Sequence, residues 1–150
     1  MSLEKNVMTK MKEAMKAKDT VALESYRAIK TAITMAKTES GSSTELNADK
    51  ELQLLQKLVK QRKDAAQLYL DQNRSDLADP ELAQAKVIEQ FLPVQLSPEE
   101  LEAKVAEIIE NLGASTMKDM GKVMGAASKT LGGSADGKSI STVVKKLLNS

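Results

Sequence analysis

LPVQLSPEELEAKVAEIIENLG, spanning Leu92–Gly113, decides how this chain divides and what its parts are made of. Pro93 and Pro98 cannot continue a helix, and each pushes the residue before it toward extended backbone. Ser97-Pro98-Glu99-Glu100 then combines a capping serine, a proline at the first helical position and a glutamate three residues after the cap. Leu101, Val105, Ile108 and Leu112 follow at helical spacing, and Gly113 supplies a stop. The stretch predicts an extended join followed by a capped helix. It places a domain boundary there, with an N-terminal domain over 1–94 and a C-terminal domain over 95–150.

Upstream, the same signals recur. A first helix is predicted from Ser2 to Lys18, with Val7, Met8, Met11 and Met15 inward and Lys5, Lys10, Lys12, Lys16 and Lys18 making its outer face basic. Asp19 caps a second helix that carries Ala22, Tyr26, Ile29, Ile33 and Ala36, and Ser40–Thr44 (SGSST) reads as a loop. Asn47 caps the third and longest helix, to about Asn73, on Leu52, Leu55, Val59, Ala66 and Tyr69. A fourth is predicted to start at Asp79-Pro80 and to bury Leu82, Ala85, Ile88 and Leu92. Downstream of Gly113, Ser115 or Thr116 opens a sixth helix with Met120, Val123, Met124, Ala127 and Leu131 inward. Gly132-Gly133 ends it, and a seventh runs from Asp136 or Ser139 to Leu148. No window alternates as a strand does. The expected fold is all-α: a four-helix N-terminal domain followed by a small three-helix C-terminal domain. The eight methionines read as fillers of an aliphatic core.

Composition then removes whole classes of chemistry. The 150 residues include no Cys, no His and no Trp. Disulfides, thiolate nucleophiles and iron–sulfur ligands need cysteine, and Ser–His–Asp triads and the commonest zinc sites need histidine. No catalytic residue, metal site or cofactor is predicted. With Tyr26, Tyr69 and Phe91 as the whole aromatic content, a base-stacking platform is disfavoured. No apolar run reaches the roughly 18 residues of a membrane span, and the charged N-terminus lacks the apolar centre of a signal peptide. A cytoplasmic protein with no membrane partner is expected.

The net charge of +1 hides an internal contrast. Residues 97–112 carry Glu99, Glu100, Glu102, Glu107 and Glu110 against Lys104, a net −4. Residues 113–150 carry Lys118, Lys122, Lys129, Lys138, Lys145 and Lys146 against Asp119 and Asp136, a net +4. Those six lysines are the candidate nucleic-acid contacts, since a basic helix pair suits a phosphate backbone. Gly121 and Gly125 fall on one helical face; they read first as a packing surface for another helix, and second as room for an RNA backbone to approach. Lys57, Lys60, Arg62 and Lys63 form a second basic cluster. Arg62 interrupts an apolar stripe and so demands a partner, for which Glu89 and Asp76 are candidates, with a phosphate contact as the alternative. Arg74 is placed to cap the carbonyls ending the third helix. Gly132–Ser139 (GGSADGKS) matches a P-loop letter for letter, but no strand precedes it, so it reads as a helix–helix connection with Asp136 capping the next helix.

KQRKDAAQLY (60–69), NRSDLA (73–78), FLPVQLSPEEL (91–101), DMGKVMG (119–125) and GGSADGKSISTVVKKLL (132–148) succeed one another at fixed distances. Together they resemble the YqeY family, small bacterial proteins related to the tail of the GatB subunit of tRNA-dependent amidotransferase. Gln84 is a departure, since the family often carries Glu there. The resemblance implies a helical domain followed by a three-helix tail-like domain that contacts tRNA. It also attaches a family-level label of carbon–nitrogen ligase with glutamine as amido donor, although the kinase and glutaminase chemistry lies outside the part this chain resembles. The resulting expectation is a non-catalytic module that binds tRNA or other RNA, with partners in the translation and aminoacyl-tRNA machinery. The alternative is a protein-interaction adaptor, in which the acidic helix 97–112 docks a basic partner.

Overall fold

A computed structural model of the chain describes residues 2–39, 41 and 46–149. The fold is all-α. In order come α1 (Leu3–Ala17), α2 (Thr20–Glu39), α3 (Ala48–Asp71), α4 (Ser75–Glu89), α5 (Pro98–Leu112), a 3-10 turn (Met117–Asp119), α6 (Met120–Leu131) and α7 (Gly137–Leu148). No β-strand occurs among the described residues, only an isolated bridge between Gly132 and Ala135. Of the loop expected over Ser40–Thr44, only Gly41 lies among the described residues. The chain divides into two compact units, Met1–Leu92 and Pro93–Ser150, each with its own apolar cluster.

In the first unit, short polar side chains begin the helices by accepting from otherwise orphaned amides. Ser2 Oγ accepts from Lys5 N–H at 3.3 Å, Asp19 Oδ1 from Ala22 N–H at 3.0 Å and Asn47 Oδ1 from Lys50 N–H at 2.8 Å. The core comprises Val7, Tyr26, Ile29, Ile33, Leu55, Val59, Ala85 and Ile88 among others. Fully burying an Ile or Leu side chain contributes about 1.5–3 kcal/mol. Tyr26 meets Phe91 edge to face, with ring centroids 5.8 Å apart.

Three expectations are corrected here. Met8 and Met15 point to solvent; the buried seam of α1 is Leu3, Val7 and Ala14. Each methionine lies one residue past a buried position, about 100° round the helix, so the two spacings look alike in sequence. Helix α4 begins at Ser75, ahead of the expected Asp79, and Pro80 lies inside it. The amide that Pro80 lacks would have bonded the carbonyl of Asp76, an exposed residue whose oxygen solvent can satisfy. Leu82 is exposed, because the buried stripe of α4 is Ala78, Ala85 and Ile88 and Leu82 sits about 60° beyond Ala85 on its rim.

The second unit follows the sequence closely. Ser97 and Glu100 form the reciprocal capping box at the start of α5, and Gly113 closes that helix in the left-handed region at φ 66°. Leu101, Val105, Val123, Ala127, Leu131, Ile140, Val144 and Leu148 make its core. Between α6 and α7, a Cβ at Gly132 would stand 2.5 Å from the carbonyl oxygen of Ser128, and Gly133 takes φ 89°. Only glycine fits this turn. Its carbonyls also hold the start of the unit in place. Gln95 Nε2 donates to Gly133 O at 2.6 Å, and Leu96 N–H donates to Ser134 O at 2.9 Å. The P-loop-like letters thus build a seat for the incoming chain. Asp136 caps α7, accepting from Ser139 N–H at 2.9 Å, and so puts a carboxylate where a P-loop would hold phosphate.

Candidate nucleic-acid interface

Helix α6 turns Val123, Ala127 and Leu131 inward, with Met120 and Met124 partly covered beside them. At about 100° per residue, Lys122 and Lys129 fall on the opposite side, within about 20° of each other. Lys118 precedes them in the 3-10 turn. All three are exposed, and among the described residues no ion pair engages them. Gly121 and Gly125 border this row. The favoured expectation, that they pack another helix, is corrected: both are exposed, and a Cβ added at either would meet nothing within 4 Å. The result is a strip of bare backbone beside a row of ammonium groups.

The turn that presents this row is fastened by Asp119. Its Oδ2 accepts from Ser115 N–H at 3.0 Å and from Thr116 N–H at 3.4 Å. These two bonds hold the carboxyl below the usual carboxylate range, and the positive charge of Lys122 lowers it further. The bonds favour the ionised form, so their stabilisation is complete above the ordinary Asp pKa and lost as pH falls through the lowered one. Asp119→Ala is therefore expected to be less stable than the parent at neutral pH. The gap should shrink on acidification through the carboxylate range, as read by denaturant midpoints across pH.

Helix α7 contributes less evenly. Lys138 and Lys145 share its outer face and are exposed, and among the described residues no ion pair engages them. Lys146 turns instead toward α5, where its Nζ stands 3.2 Å from Glu102 Oε2. The six lysines therefore form two outward rows, one along the 3-10 turn and α6 and one on α7, plus one cation engaged by the acidic helix.

The second basic cluster is differently occupied. Lys60 pairs with Asp64 at 2.8 Å and Lys63 with Glu89 at 2.6 Å, while Lys57 points outward. Arg62 meets neither Glu89 nor Asp76. Its Nε donates to Gln84 Oε1 at 3.1 Å and its Nη1 to Leu58 O at 3.1 Å. Gln84 Nε2 in turn donates to Glu24 Oε2 at 3.2 Å, tying α3 to α4 and α4 to α2. Asp76 belongs to the Arg74 side chain, which grips it with Nε and Nη2, both at 3.0 Å; Arg74 caps α3 instead through its backbone N–H, which donates to Tyr69 O at 2.8 Å. That grip lowers the Asp76 carboxyl and raises the Arg74 guanidinium. Composition alone missed Gln84. Arg62 and Gln84 are equally far from Asn73 at the hairpin tip, and an antiparallel pairing of α3 with α4 would have brought them together.

Among the described residues no helix is long and apolar enough to cross a membrane, and no group of three or more Asp or Glu is arranged to hold a metal ion.

The model of the family described as Yqey-like protein matches residues 4–148. The protein named altered inheritance of mitochondria protein 41, mitochondrial, from Clavispora lusitaniae is 32% identical over 108 residues, covering 70% of this chain and 61% of its own length. The protein of the same name from Vanderwaltozyma polyspora is 32% identical over 117 residues, covering 73% of this chain and 62% of its own. The chain thus spans less than two thirds of these curated relatives. Both relatives are fungal and carry "mitochondrial" in their names, so they lend nothing to the bacterial and cytoplasmic expectations. With the family match running through both units, from Glu4 to Leu148, the chain belongs to the YqeY-like family.

Proposed function

We propose that the C-terminal unit is a non-catalytic module that binds RNA, tRNA foremost, in an aqueous compartment such as the cytoplasm. The observation that carries this reading is the outward row Lys118, Lys122 and Lys129 beside the bare backbone at Gly121 and Gly125. These three exposed ammonium groups, one in the 3-10 turn and two on α6, can each neutralise a phosphate and release its counterion. Lys138 and Lys145 extend the footprint. No aromatic residue lies in this unit, so contact runs through phosphate and ribose and carries little base stacking. With neither His nor Cys in the chain, the module acts by positioning RNA. Its place is beside tRNA-dependent amidotransferase, the glutamine-dependent carbon–nitrogen ligation being carried out by other proteins. A titration of the full chain against total tRNA at low salt should saturate at micromolar protein and weaken steeply as salt rises. Absence of binding under those conditions would sink the proposal.

The two glycines sharpen it. Gly125 costs about 0.5–1 kcal/mol relative to Ala in the interior of α6, Gly121 costs less in its first turn, and nothing in the surroundings opposes a methyl group at either. Gly121→Ala with Gly125→Ala should raise the thermal midpoint of the C-terminal unit. The same pair should weaken tRNA binding, because the methyl groups hold the RNA backbone off the helix. A variant that is stabilised and binds as before would remove the glycines from the interface.

A further inference from the structure

The N-terminal unit presents a second surface of different character. The buried seam of α1 is Leu3, Val7 and Ala14, with Met11 partly covered. A parallel seam faces solvent: Lys5, Met8, Lys12 and Met15 follow at steps of three and four, the spacing by which one helix packs along another. Met8 is 41% exposed and Met15 58%. The acids of α1 do not neutralise this seam, because Glu4 is taken by Lys37 at 2.6 Å and Glu13 by Lys10 at 3.2 Å. Lys5, Lys12 and Lys16 are exposed, and among the described residues no ion pair engages them.

We propose that the outer face of α1 docks an acidic amphipathic helix of a partner protein. Charge alone would suit phosphate equally well, and the methionines decide between the two. A phosphate backbone offers nothing to a thioether, whereas two unbranched, adaptable side chains seven residues apart match an apolar ridge with one residue per turn or two. Lysines alternating with those methionines along the seam, with Lys16 at its edge, call for carboxylates flanking that ridge. The 15 residues of α1 give a seat about 22 Å long, room for about four turns of a partner helix.

The test uses the full chain and a labelled synthetic helix with leucines at the a and d positions of a heptad and glutamates at e and g. A peptide of the same residues in scrambled order serves as control. Fluorescence anisotropy gives affinity, and amide chemical shifts give location. The ordered peptide is expected to bind about tenfold more tightly than the scrambled one and to shift amides from Lys5 to Lys16. Lys5→Glu with Lys12→Glu should weaken it about tenfold with the circular dichroism unchanged, since both side chains are exposed. Met8→Gln with Met15→Gln should weaken it while leaving every charge in place. Equal binding of the two peptides, or unmoved α1 amides, overturns the proposal. So does displacement of the ordered peptide from α1 by total tRNA or by phosphatidylglycerol vesicles, which would make the face a general polyanion surface.

Discussion

Lys118→Glu, Lys122→Glu and Lys129→Glu combined are expected to lower the affinity for tRNA by about a hundredfold or more, because three phosphate contacts are lost and three repulsions added. All three side chains are exposed and, among the described residues, make no ion pair, so the fold should survive the change. The diagnostic is the salt dependence. If each lysine neutralises one phosphate, the slope of log affinity against log salt should fall by about two to three in magnitude. Reversal of Lys57, Lys60 and Lys63 on α3 is the matched control, with the same change of charge on the other unit. It should disturb the Asp64 and Glu89 pairs and leave tRNA affinity much less affected. Filter binding across a salt series reads both. Equal losses from the two triples would mean that net charge, and not the α6 face, governs association.

The second large effect concerns stability. Ile88 is fully buried in the first unit, among the side chains of α1 to α4. Ile88→Ala removes three methyl or methylene groups from a packed site and should cost about 2–5 kcal/mol, a large fraction of what a domain this size holds in reserve. The two apolar clusters share no residue. The expected result is an early unfolding transition confined to residues 1–92, while amide signals of the second unit persist. Val144→Ala, on a fully buried residue of the other cluster, should give the converse. Loss of all signals together in either variant would mean that the chain unfolds as one cooperative body.

Much of the fold is legible in the residues because helices announce themselves locally. Ser97, Pro98 and Glu100 specify the start of α5 through interactions spanning only a few residues, and the capping box forms. The stripe Val123, Ala127 and Leu131 follows from periodicity alone. Misreadings arise where two local patterns compete. In α1 the buried seam Leu3, Val7 and Ala14 runs beside an equally spaced one through Met8 and Met15, and the small alanine hides the true one. Pro80 was a strong start signal that α4 overrode, because the orphaned carbonyl could face water. What needed the third dimension was the partner of each charge. Gln84 for Arg62, Glu24 for Gln84 and Glu102 for Lys146 depend on helix pairing, which a one-dimensional pattern does not encode. The candidate interface lay between these cases. Periodicity placed Lys122 and Lys129 together, but only the packing of α6 revealed that Gly121 and Gly125 face outward.

Contact between RNA and the α6 face of the C-terminal unit can be read residue by residue. Its most direct test is an amide chemical-shift titration of the full chain with tRNA. Gly121 and Gly125 are reporters at the surface itself. Their amides, with those of Lys118, Lys122 and Lys129, are expected to shift first and furthest, and residues 2–92 to move little. Shifts confined to the N-terminal unit, or no shift at RNA concentrations that saturate binding, would contradict it.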